Sequence, residues 1–139
     1  GLELVLVCNA PRGAGPATRD RVRWLGRTDD ATLADLYRAA AVTAFPSLHE
    51  GFGLPAVEAM ASGCPLVVSD RGALPEVVGD AALVVPPTPQ GLADGLRAAL
   101  EPTTSAALRA AGPVRAAVYS PAAMGRQAWQ ALRAGAGET

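Results

Sequence analysis

Five short aliphatic runs constrain this chain more than any other feature: LELVLV (2–7), VRWL (22–25), VTAF (42–45), PLVVS (65–69) and AALVV (81–85). Their apolar residues mostly sit in adjacent positions rather than in strict alternation, the pattern of a strand buried in a parallel sheet. Helix signals lie between and after them. Asp29 or Asp30 can cap a helix running through Tyr37 and Arg38, with Leu33 and Leu36 on one face. Pro55 suits a first helical position and Gly63 a left-handed stop, which brackets a helix of about two turns. A short helix is expected around LPEVVG (74–79), and three more near Gln90 to Leu100, Ser105 to Val118 and Ala122 to Ala134. Strands alternating with helices predict an α/β fold, a Rossmann-like parallel sheet with helices on both faces. The first crossover breaks the pattern: NAPRGAGPATRDR (9–21) is a proline and glycine loop where a helix is usual.

The length fits one domain, residues 1–139, with a Rossmann-like core over 1–100 and C-terminal helices over 101–139. Half the residues are apolar, 18% are charged and the formal net charge is −1, so neither a nucleic-acid surface nor a polybasic membrane patch is indicated. Cys8 and Cys64 are far apart and the chain holds one histidine, too few ligands for a zinc site. Neither a transmembrane run nor a secretory signal is evident, and the expectation is a cytoplasmic domain with free, buried thiols.

The chemistry concentrates in FPSLHEGFGLPAVEAMASGCPLVVSD, Phe45 to Asp70. In open parallel sheets ligands gather beyond the carboxyl ends of the strands, and the loop after VTAF emerges there. Gly51 and Gly53 let the backbone approach a ligand, while Pro55 opens a helix whose free N–H groups carry about half a positive charge in sum. That is an anion cradle. Glu58 follows Pro55 by about 4.5 Å along the helix axis, and side chains lean toward the helix start. Carboxylates beside a bound anion repel it unless they grip hydroxyls instead. Phosphate joined to sugar meets both demands, placing Glu58 on a ribose diol and Glu50 toward a sugar.

This stretch resembles the donor-binding signature of the family 4 (group 1) glycosyltransferases, retaining enzymes of the GT-B fold. The resemblance extends from VRWLGRTDDATLADLYRAA (22–40) through LPEVVGDAALVVPP (74–87). It implies the C-terminal, nucleotide-sugar-binding domain, with Glu50 as the catalytic-site carboxylate on donor sugar hydroxyls and Glu58 on ribose. It also implies that amides of Phe52 to Leu54, with Gly51 and Gly53, meet sugar and phosphate, and that backbone near Arg23 and Trp24 meets the base. Ser47 and His49 stand close enough in sequence to join the donor site, although each also reads as a turn residue. The implied substrate is a UDP-, GDP- or ADP-sugar, with no metal and no cofactor.

The family's first strand and helix supply an arginine and a lysine that neutralise the diphosphate. This chain opens after that unit and contains no lysine. The acceptor-binding N-terminal domain is likewise absent from it, so the isolated chain is expected to transfer no sugar, and a full enzyme peripheral to the membrane is an alternative location. A sheet short of its first unit leaves an open edge, which predicts self-association. VYSPAAM (118–124) stands where the family has an aromatic, Ser, Trp, Glu run, with Pro121 and Ala122 replacing the last two. Arg12, Arg19, Arg21 and Arg27 are candidate substitutes for the missing cations, or a solvated scatter. GAGPAT (13–18) imitates a dinucleotide fingerprint but ends on Thr18 and opens no helix. A non-catalytic glycosyltransferase-like partner domain is the alternative function.

Overall fold

The computed structural model describes residues 1–9 and 21–135, and the chain divides within its first helix into two compact units, Gly1–Asp35 and Leu36–Thr139. Most of the Pro/Gly crossover, with GAGPAT, Arg12 and Arg19, lies outside the described residues.

In the first unit, β1 (Leu4–Leu6) and β2 (Val22–Trp24) pair in parallel, Leu4 opposite Val22 and Leu6 opposite Trp24. The ladder extends through Leu4 N–H to Arg21 C=O at 2.8 Å and Leu25 N–H to Leu6 C=O at 2.9 Å. Helix α1 (Asp30–Ala39) starts where Asp29 accepts a 2.7 Å bond from Thr32 N–H, so Asp29 is the cap. That bond holds its carboxyl below the usual carboxylate range.

The second unit runs β3 (Thr43–Phe45), α2 (Leu54–Ala61), β4 (Leu66–Ser69), α3 (Leu74–Val78), β5 (Leu83–Val85), α4 (Pro89–Leu100), α5 (Pro102–Ala116) and α6 (Pro121–Gly135). Single 3-10 turns follow α3 and α5, at Gly79–Ala81 and Ala117–Tyr119. The strands form a parallel sheet in the order β3-β4-β5. Central β4 is buried along its whole length, which accounts for its unbroken apolar sequence. Its side chains alternate: Leu66 and Val68 pack with Ala56, Met60, Leu74 and Val78, whereas Val67 packs with Ala99, Leu108, Leu92 and Leu96. Helices therefore cover both faces of this sheet, as the sequence predicts, and the expected elements are present with small shifts at their ends.

Helix ends follow local chemistry. Gly63, at φ 68°, closes α2 with Gly63 N–H on Met60 C=O and Cys64 N–H on Ala59 C=O, both at 3.0 Å, a Schellman pair. Thr88 caps α4 by accepting from Gly91 N–H at 3.0 Å. Among the described residues no helix is long and apolar enough to cross a membrane.

Helix α5 crosses α2 at Gly112, where a Cβ would stand 2.9 Å from the Met60 carbonyl oxygen. Alanine gains about 1 kcal/mol of helix propensity over glycine, while overpacking against unyielding backbone costs about 1–3 kcal/mol. The two nearly offset at the low end, so Gly112→Ala is expected to lower the urea midpoint by the equivalent of up to about 2 kcal/mol. A midpoint above that of the parent chain would show that the crossing can open freely.

Candidate functional site

Parallel pairing of β3 with β4, Phe45 opposite Val68, makes the loops after these two strands emerge side by side. The first loop leads into α2, which begins at Leu54 with Pro55 as its second residue, one position later than expected. Gly53 precedes it at φ 95°, ψ 51°, with no side-chain cap. The Gly53 carbonyl accepts from Ala56 and Val57 N–H at 2.9 and 3.2 Å, so the helix is wound from its first turn. Among the described residues none accepts a hydrogen bond from the N–H of Gly51, Phe52, Gly53 or Leu54. These donors lie at the positive end of α2.

The second loop braces the first. Ser69, fully buried, donates to the Ser47 carbonyl, and the Ser47 hydroxyl turns back to the His49 carbonyl at 2.9 Å. The Ser47 hydroxyl thus braces its own turn. Ala73 N–H donates to the Glu50 carbonyl at 3.2 Å, and Gly72, at φ 59°, lies directly against the Glu50 backbone. Between the loops opens a cleft of about 590 Å³ lined by Leu48, His49, Glu50, Gly51, Arg71 and Gly72. His49 is exposed and Glu50 half-buried. Arg71 adds a guanidinium whose Nε pairs with Asp70 at 3.1 Å, both side chains facing solvent in part.

Glu58 lines a different hollow. Leu54, Val57, Glu58 and Ala61 share one face of α2 and, with Pro113, Tyr119 and Pro121, border a mainly apolar groove of about 370 Å³. The Glu58 carboxylate is exposed rather than turned into the core. Tyr37 stands beside it: burial, and then the Glu58 charge, push the phenol up to about 12, so it stays neutral well into the alkaline range. The loop from Gly51 to Leu54 reaches from one hollow to the other, since Gly51 lines the cleft and Leu54 the groove. Phe52 meets the Tyr119 ring edge-on, centroids 5.3 Å apart.

Arg23 and Trp24 stand on β2 in the first unit. Arg23 pairs loosely with Glu3 at 3.6 Å, and Trp24 is half-buried. Ser69, Arg71 and Gly72 escaped the sequence reading. Their one signal was position, because they follow the strand that neighbours β3, and strand order is a tertiary property.

A profile described as glycosyl transferases group 1 matches residues 2–102. O-antigen chain mannosyltransferase B of Escherichia coli is 53% identical over 66 residues, 48% of this chain and 17% of that protein. Sucrose-phosphate synthase of Thermosynechococcus elongatus has a similar structure, with TM-score 0.76 and 34% identity over 88% of this chain and 32% of that one. Anabaena HepE, solved in complex with UDP and glucose, gives TM-score 0.71 and 28% identity over 84% of this chain and 33% of that one. The chain thus spans about a third or less of the length of these relatives. Its parallel α/β architecture is similar to that of GT-B glycosyltransferase domains. With 101 consecutive residues matching the profile, the chain belongs to the group 1 glycosyl transferases.

Proposed function

We propose that this chain is the donor-binding part of a retaining glycosyltransferase, holding a nucleotide-diphosphate sugar whose sugar passes to an acceptor. One observation carries the reading: the N–H groups from Gly51 to Leu54, without acceptors among the described residues, span two hollows that each present a carboxylate. A diphosphate fits the helix start, where amides and dipole favour negative charge. The nucleoside fits the groove, with Glu58 accepting from ribose hydroxyls over an apolar wall. The transferred sugar fits the cleft, with Glu50 accepting from its hydroxyls and positioning it. HepE, related in fold and sequence, was solved with UDP and glucose, which supports a nucleotide and a sugar as the ligand class.

In this reading, bond cleavage puts charge on the departing diphosphate, and the preformed amides at the helix start stabilise that charge without needing a metal. Transfer itself belongs to the whole protein, with an acceptor-binding domain completing the site, and the chain alone is inactive. The proposed setting is cytoplasmic.

Saturation-transfer NMR with UDP, GDP and ADP tests the donor reading, because it detects even millimolar binding. Ribose protons of at least one nucleotide are expected to receive saturation. Glu58→Gln is expected to weaken that binding by about tenfold, the scale of losing a hydrogen bond to a charged acceptor. Silence from all three nucleotides, or an unchanged affinity in Glu58→Gln, would overturn the assignment.

A further inference from the structure

The run VYS, Val118 to Ser120, belongs to neither carboxylate, yet its two hydroxyl side chains are held by hydrogen bonds. Ser120 starts α6 by accepting from Ala123 N–H at 3.3 Å. Tyr119 faces the other way. Its hydroxyl donates to the Val77 carbonyl at 3.1 Å and accepts from Arg115 Nη2 at 2.9 Å. Arg115 also donates through Nε to Val77 C=O at 2.9 Å and through Nη2 to Glu76 C=O, while its guanidinium lies 5.4 Å from the Tyr119 ring centroid. Glu76 and Val77 are in the last turn of α3, where carbonyls lack partners within the helix, so a guanidinium is well matched to that end. Tyr119 is consequently fixed by hydrogen bonds from two elements.

The fixed ring meets Phe52 edge-on, at 5.3 Å and 86° between planes. Phe52 is the one residue with a side chain between Gly51 and Gly53. Two glycines leave the backbone around it nearly unrestrained, so the place where the Phe52 ring is anchored decides how the loop's N–H groups point. Tyr119 also borders the groove that Glu58 lines, which puts the anchor within the same site.

We propose that Tyr119 is a positioning residue: by pinning Phe52 it preorganises the Gly51 to Leu54 amides for a nucleoside diphosphate. The identity of the ligand rests on the function proposed above; the pinning does not. Preorganisation of this kind strengthens binding because the loop is not ordered anew when the ligand arrives.

The chain has two phenylalanines, so labelling with 4-fluorophenylalanine gives two fluorine resonances, one from Phe52 and one from Phe45 on β3. In Tyr119→Leu the Phe52 signal is expected to move toward the free amino-acid position while Phe45 stays put. Affinity for whichever of UDP, GDP and ADP binds best is expected to fall about threefold to tenfold, the range of an aromatic pair. Tyr119→Phe keeps the edge contact and is expected to keep both the signal and most of the affinity. In a double-mutant cycle, Tyr119→Leu should add little to Phe52→Leu. Should Tyr119→Leu unfold, seen as a displaced Phe45 signal, the milder Tyr119→Met carries the same comparison. An unmoved Phe52 signal, a moved signal with unchanged affinity, or additive losses in the cycle would overturn the proposal. Absence of binding by the parent chain would instead sink the nucleotide reading, and the fluorine shifts would still decide the pinning.

Discussion

Gly72→Ala is expected to remove about 3–5 kcal/mol of stability, combining left-handed backbone strain with overpacking. Gly72 sits at φ 59°, and a Cβ there would stand 2.3 Å from the Glu50 carbonyl oxygen and 3.1 Å from the Glu50 nitrogen. Both neighbours are backbone atoms of a braced loop, so no side chain can swing aside. Relief requires the turn after β4 to pull away from Glu50, breaking the bond from Ala73 N–H to the Glu50 carbonyl. The same movement opens the cleft that Glu50 lines. For a domain of this size the loss corresponds to about 10–20 °C in the melting midpoint. Gly51→Ala is the control: nothing lies within 4 Å of its added Cβ, and its stability is expected to stay within about 0.5 kcal/mol of the parent. Calorimetric melts of the two variants decide the matter. A Gly72→Ala midpoint within a few degrees of Gly51→Ala would mean the two loops are not locked together.

Leu74→Ala acts through the opposite defect, a void. Leu74 is fully buried at the start of α3, among Met60, Val68 and Val78, and is one of the largest side chains in the core. Its Cδ2 lies 2.7 Å from where a Cβ of Gly53 would be, so it fills the space directly beneath the residue that opens α2. Truncating such a leucine costs about 2–5 kcal/mol, with the upper part of the range where the surroundings cannot collapse. Here collapse would draw Gly53 inward and disturb the helix start. Urea unfolding is expected to show a lowered midpoint at unchanged slope, the mark of lost native stability rather than an altered unfolded state. A loss below about 1 kcal/mol would show that the site under Gly53 repacks readily.

Both effects concern residues whose importance is nearly invisible along the chain. Leu74 reads as one more apolar residue and Gly72 as one more turn glycine. By contrast, the elements themselves were legible. The aliphatic runs marked the strands, most plainly at β4, which is buried along its whole length and so has little use for polar side chains. Asp29 and Gly63 marked helix ends because capping is settled by atoms within a few residues. The stretch from Phe45 to Asp70 announced unpartnered amides because a glycine loop running into a proline-led helix leaves N–H groups without acceptors wherever the helix is placed.

The sequence by itself therefore determined the element order, the parallel α/β class and the family, along with the loop that presents free amides between Glu50 and Glu58. Tertiary structure alone decided that these glutamates line different hollows, that Arg71 and Gly72 join Glu50, and that Tyr119 reaches Phe52. The physical reason is range. Periodicity, caps and turns are encoded by near neighbours, whereas the meeting of the loops after β3 and β4 depends on those strands pairing side by side, and that of Tyr119 with Phe52 on how α5 lies across α2.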